Sequence, residues 1–170
     1  MIPKKENKMP NKEMLSKNFA VSEMSCKDNC KKGKYPKIGI VILLELVRMY
    51  FGNKYDTQCV IEVKSGNRCL NHNEAVQKIW YPINHHGKQY VPFSSQSVHM
   101  EYGACDFKVK IRVPYKITVG GFVLRRWTQI APKDVYDFLD DLFPNSLGLG
   151  LYKNRNHADI REIKARWNNS

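Results

Sequence analysis

The chain has no long hydrophobic run. Its most apolar stretch, "IGIVILLELV" over residues 38–47, is too short to cross a bilayer and carries Glu45, so no membrane-spanning segment is expected. Acid is also scarce: 16 Asp and Glu stand against 28 Lys and Arg, for a formal net charge of +12. That balance suits a polyanionic partner, whether nucleic acid, an anionic membrane surface or an anionic cell-wall polymer, and does not choose among them. No nucleic-acid recognition motif is present, so no specific nucleic acid is expected. Internal repeats and low-complexity tracts are missing too. The five cysteines are an odd number, so at least one thiol has no disulfide partner within the chain. Cys26 and Cys30 resemble half of a metal site, but no second close Cys or Cys/His pair follows at zinc-finger spacing. All five are therefore expected to be reduced thiols in a reducing compartment, and not ligands. The opening "MIPKKENKMPNKEMLSKN" is Lys-rich and lacks the apolar core of a secretory leader, so synthesis in the cytoplasm is expected. Action outside the cell would then require release by another agent.

What is present is enough for one core. A chain of 170 residues with 42% hydrophobic and 11% aromatic residues fits a single domain. Residues 1–17 read as a flexible basic arm and 18–170 as the domain, expected as a monomer. In "NFAVSEMSC", Asn18 or Ser22 is placed to cap a short turn, with Phe19 and Met24 as its anchors. Residues 36–51 read as a helix with Pro36 in its first turn, an apolar face of Ile38, Val41, Ile42, Leu44, Leu46 and Val47, and a stop at Gly52 and Asn53. "QCVIEVKSG" alternates as a strand. "LNHNEAVQKIW" reads as a short helix, and the Pro- and Gly-bearing "YPINHHGKQYVPF" as a loop or lid. "GACDFKVKI" is a strand. The segment through "RVPYKITVGGFVLRRWTQI" reads as strands about a Gly120-Gly121 turn. "APKDVYDFLDDLFP" is a helix with Pro132 near its start and a Val135/Phe138/Leu139/Leu142 stripe. Two short strands follow, 147–152 and 157–160, and then a basic tail. The fold class is α+β, a small and mainly antiparallel sheet with flanking helices.

Within "SVHMEYGACDFKV", His99 and Asp106 stand at the entry to a strand. A catalytic zinc takes neutral imidazoles and a carboxylate and keeps one position open for water. Gly103 and Ala104 are small enough to let the backbone turn so that both side chains converge. The third ligand must come from another element, and His157 in "NHADIR" is the best placed. Strand alternation puts His157 and Asp159 on the same face. Taken alone, the H-x6-D spacing is a weak signal, because an isolated His or Asp is more often a hydrogen-bonded or surface residue.

The segments "NFAVSEMSC", "LLELVRMYFG", "VIEVKSGNRCLNHNEAV", "SVHMEYGACD" and "GLGLYKNRNHADIREIKARW" occur in the order of a known family. The chain resembles the zinc D-alanyl-D-alanine carboxypeptidases and L-alanyl-D-glutamate endopeptidases, which include phage endolysin peptidases and murein endopeptidases and share their architecture with hedgehog signalling domains. The resemblance covers about residues 18–167 and rests on the "SGxR…N", "SxHxxGxAxD" and "HxDxR" patterns together. It implies His99, Asp106 and His157 as ligands of Zn2+, with Arg68 and Ser97 on the substrate side, Arg68 holding a carboxylate or carbonyl. Asp159 and Arg161 match the terminal motif. Asp159 is then either the proton acceptor of a hydrolytic reaction or the partner that orients His157 or Arg68. The implied function is hydrolysis of peptide bonds in peptidoglycan stem peptides at the cell wall, as in a phage or prophage lysin. The alternative is a zinc-holding binding module of the same fold without catalysis. The chain departs from the family pattern in three places. Tyr102 stands where the family has glycine, with Gly103 one residue later. Asn154 occupies a position that is acidic in some branches. The stretch between "NEAV" and "SVH" is long, and it carries His85 and His86; His72 reads as a structural residue of the helix start.

Overall fold

The computed structural model describes residues 13–28, 30, 35–84, 97–101, 103–119 and 122–170. Along the chain these form α1 (Val21–Met24), α2 (Ile38–Lys54), β1 (Cys59–Ser65), α3 (Leu70–Asn84), β2 (Ala104–Val119), β3 (Phe122–Gln129), α4 (Pro132–Leu142), β4 (Gly148–Tyr152), β5 (Arg155–Asp159) and β6 (Ala165–Asn169). His85, His86, Tyr102 and the Gly120-Gly121 pair lie outside the described residues.

The six strands make one sheet in the order β1-β2-β5-β4-β6, with β3 also paired to the long β2. All neighbours are antiparallel except β4 and β6, which run parallel. Strand β2 serves three partners: its first residues pair with β5, its middle with β1, and its far end with β3. Val119 pairs with Phe122, so β2 and β3 are antiparallel neighbours up to the ends of their described residues. Register shifts between Pro114 and Thr118, where proline supplies no N–H to the ladder.

One face of the sheet carries the core. Cys105, Phe107, Val109 and Ile111 alternate along β2 and are buried, as are Cys59, Ile61, Leu149 and Ala158. Helices α2 and α4 cover this face through Ile40, Val41, Leu44, Val47 and Phe51 on one, and Val135 and Leu139 on the other.

Several expectations are corrected. In α2, Val41, Leu44 and Val47 of the expected face are buried, whereas Ile38, Ile42 and Leu46, spaced four residues apart, form an exposed ridge. Apart from Glu45 and Arg48 the helix is apolar on most sides, which blurs the sequence cue to the inward ridge. Its start is Ile38, one residue after the N-cap Lys37, and it runs past Gly52 and Asn53 to Lys54. Helix α3 continues through Pro82 to Asn84, so residues 81–84 are not loop. Leu142 at the end of α4 is exposed. Neither Asn18 nor Ser22 caps α1; Glu23 accepts the N–H of Ala20 at 2.7 Å. Asn18 and Ser16 instead donate to Glu45, which ties residues 13–17 to α2. Met14 also bridges to Ala20. Ser16 and Met14 are thus held to the domain by these contacts.

The basic tail is a strand. Arg166 in β6 donates to the carbonyls of Phe143, Ser146, Leu147 and Ala165 and to Asp140. A planar guanidinium can satisfy several oxygens at once, and here it ties the turn after α4 to the sheet edge.

Candidate metal centre

The second face of the sheet carries the polar residues, and strand register explains why. Ser65, Asp106, His157, Gly150 and Trp167 stand opposite one another in a line across β1, β2, β5, β4 and β6. The next line holds Ala104, Asp159, Gly148 and Ala165. Directly paired residues point to the same side of a sheet, so five elements distant in sequence deliver one site.

His99 reaches this site from the 97–101 turn. Its Nδ1 lies 2.6 Å from the Gly66 carbonyl, so Nδ1–H donates there and leaves Nε2 facing Asp106 Oδ2 at 3.7 Å. His157 Nδ1 lies 2.9 Å from Asp106 Oδ1, and its Nε2 lies 3.0 Å from Asp159 Oδ2. The two imidazoles meet edge to face at 5.0 Å. One donor atom from each of His99, Asp106 and His157 falls within 4.8 Å of the others, and all three residues are buried. Two nitrogens and one carboxylate oxygen suit a zinc ion. Each imidazole also has its remote nitrogen on an oxygen, the usual support of a metal-bound histidine.

The electrostatics follow from burial and pairing. Desolvation pushes the Asp106 carboxyl up, but His99 and His157 outweigh it and hold the group well below the usual range. Burial keeps the His99 imidazole below its ordinary value despite Asp106. Burial acts the same way on His157, where hydrogen bonds to Asp106 and Asp159 prevail and raise it.

The other expected site residues fall as follows. Arg68 is buried and already engaged: Nη2 donates to Asp106 Oδ2 at 2.9 Å and Nε to Ser65 Oγ at 2.9 Å. Asp159 is fully buried behind His157, and Arg161 donates to both its oxygens, at 2.5 and 2.6 Å. Burial pushes this carboxyl up, yet His157 and Arg161 hold it at about 2. Ser97 is half-buried, and its carbonyl accepts the Met100 N–H. Asn154 is exposed in the turn between β4 and β5.

Gly148, Gly150 and Trp167 were not singled out from the sequence. A Cβ at Gly148 would overlap the Asp159 carboxylate, and one at Gly150 would overlap the Trp167 indole. Trp167 lies 5.0 Å from the His157 ring and donates Nε1–H to the Tyr152 hydroxyl at 3.1 Å. The available signal was G-x-G in a strand, two missing side chains on one face.

A second group also has metal-ligand chemistry. Cys26, Cys30 and Cys69 bring their sulfurs within 4.8 Å of one another, and Cys26, Asp28 and His72 do likewise with their donor atoms. The expectation that Cys26 and Cys30 have no matching pair is corrected, because the fold supplies Cys69-x2-His72. All five cysteines are free thiols. No family model, curated protein or solved structure matches the chain.

Proposed function

We propose that the protein is a zinc-dependent peptidase acting on the stem peptides of peptidoglycan. The observation that carries this reading is the convergence of His99 Nε2, Asp106 and His157 Nδ1, with each imidazole fixed from behind by an oxygen. Bound there, zinc would polarise a substrate carbonyl and bring the pKa of a coordinated water to about 7. The motif order of the peptidase family and the strongly basic composition support a cell-wall substrate, as in a lysin.

The chain's own groups have distinct tasks in this reading. His99 and His157 bind as neutral rings, so metal loading competes with protonation of His157, which Asp106 and Asp159 favour against the effect of burial. Arg68 holds Asp106 and keeps a buried carboxylate from standing alone. Asp159 orients His157. A carboxylate at about 2 is poorly matched to accept a proton near neutrality. Glu101, exposed on the turn two residues after His99 and paired with Lys37 at 3.7 Å, is the next carboxylate in line for that step.

One observation favours a second reading, a zinc-holding binding module: Asp159 is locked behind His157 while Asn154, a position acidic in some branches of the resembled family, carries no acid and points to solvent. Metal analysis of the purified protein, joined to mass spectrometry of digested murein, separates the two. Zinc with new peptide termini supports the peptidase. Zinc with intact murein of several chemotypes supports the module. Loss of no metal from His99→Ala would sink both.

A further inference from the structure

We propose that Cys26, Cys30, Cys69 and His72 hold a second metal ion, zinc, as a closed structural clamp. Cys26 follows α1 and Cys30 lies four residues later. Cys69 immediately precedes α3, and His72 sits in its first turn. The two segments are far apart in sequence and meet through backbone contact. Asn67 N–H donates to the Met24 carbonyl at 2.8 Å, and Gly66 packs so closely on Met24 that a Cβ would overlap its backbone.

The donor geometry fits the ion. Bond lengths of about 2.3 Å to sulfur and 2.0 Å to nitrogen give a tetrahedral site edges of about 3.8 Å between sulfurs and 3.5 Å from sulfur to nitrogen. Cys26 Sγ lies 3.3 Å from His72 Nδ1, the three sulfurs lie within 4.8 Å of one another, and Cys26 links them to a second group formed with Asp28 and His72; closing on an ion would draw the His72 ring in toward Cys30 and Cys69. Three thiolates and one imidazole form a complete zinc set with no position left for water, which makes the site structural. Backbone N–H groups already point at the sulfurs: Cys69 N–H at Cys26 Sγ, 3.3 Å, and His72 N–H at Cys69 Sγ, 3.4 Å. Such N–H contacts are the usual outer support of a metal-bound sulfur. The Asp28 carboxylate stands beside the cluster, 3.8 Å from His72 Nδ1 and 3.7 Å from Cys69 Sγ.

The clamp has a consequence for the other centre. Residues 65–69 run directly from it to the groups that position His99 and Asp106: Gly66 supplies the carbonyl on His99 Nδ1, Arg68 N–H donates to the His99 carbonyl at 3.1 Å, and the Arg68 side chain holds Asp106. Fixing Cys69 and His72 against Cys26 fixes that run.

The test is a cobalt(II) titration of the full chain, reduced and stripped of metal. A Cys3His site gives strong thiolate-to-cobalt charge-transfer absorption, whereas a His2Asp site gives none. The expected result is absorption saturating at about one equivalent in the wild-type chain and retained in His99→Ala. Cys30→Ser, at a half-buried position, should weaken zinc binding at this site by more than the roughly 10–100-fold that loss of an outer orienting partner causes, measured by competition with a chelating dye. The wild-type spectrum decides the matter even if Cys26→Ser or Cys69→Ser fails to fold. Absence of the charge-transfer absorption in the reduced wild-type chain overturns the proposal, as does a disulfide among these three cysteines in protein purified under reducing conditions. Because His99→Ala removes only the other centre, failure of the clamp and failure of the peptidase site are read separately.

Discussion

His157 offers its two nitrogens to two different carboxylates: Nδ1 faces Asp106 at 2.9 Å and Nε2 faces Asp159 at 3.0 Å. The first belongs to the candidate metal site. The second belongs to the framework, since Asp159 lies buried over Gly148 with Arg161 across both oxygens.

That division predicts what Asp159→Asn does. A carboxylate that orients a liganding imidazole typically contributes 10–100-fold to metal affinity. The variant should therefore lose zinc affinity by about that factor, measured by chelator competition. Gly148→Ala should cause a similar loss without removing a polar group, because its methyl would displace the Asp159 carboxylate. Full zinc affinity with lost hydrolysis in Asp159→Asn would instead make Asp159 the proton acceptor.

Gly150 and Trp167 form a second matched pair. Gly150→Ala should push the indole off β4, break its bond to the Tyr152 hydroxyl, and cost about 1–3 kcal/mol in chemical denaturation, the usual range for overpacking. Trp167 emission should shift in the same variant. Reading that shift against Trp167→Phe removes the contribution of Trp80 and Trp127. An unchanged spectrum and unchanged stability would mean that Trp167 does not lie over β4.

Arg166 is expected to matter more than its place near the chain end suggests. It supplies hydrogen bonds to four backbone carbonyls and to Asp140. Lysine keeps the charge but not the fork, so Arg166→Lys should lose at least about 1–3 kcal/mol, the cost of polar groups left unsatisfied. A urea midpoint equal to that of the wild type would show that β6 docks without it.

Local chemistry made much of the chain legible. Pro132 followed by apolar residues at helical spacing fixed α4. Alternation fixed the buried side of β1, and small residues flanking Asp106 marked the entry to β2. His157 and Asp159 were placed on one face because a strand repeats every two residues, and the structure puts them in contact. These features depend only on residues a few positions apart, and sequence periodicity reports them directly.

Tertiary structure decided everything that depends on which distant segments become neighbours. The sequence had no means of showing that β6 would lie parallel to β4 and bring Trp167 to the His157 ring. Nor did it show that Arg68 would turn inward to Asp106, or that Cys69 and His72 would meet Cys26 through the contact of Gly66 with Met24. The exposed ridge of α2 was equally hidden, because that helix is apolar on most of its sides. Periodicity encodes which face of an element is buried. Register and long-range contact are settled by packing the whole sheet at once, and there a shift of one residue would turn Asp106 and His157 into the core.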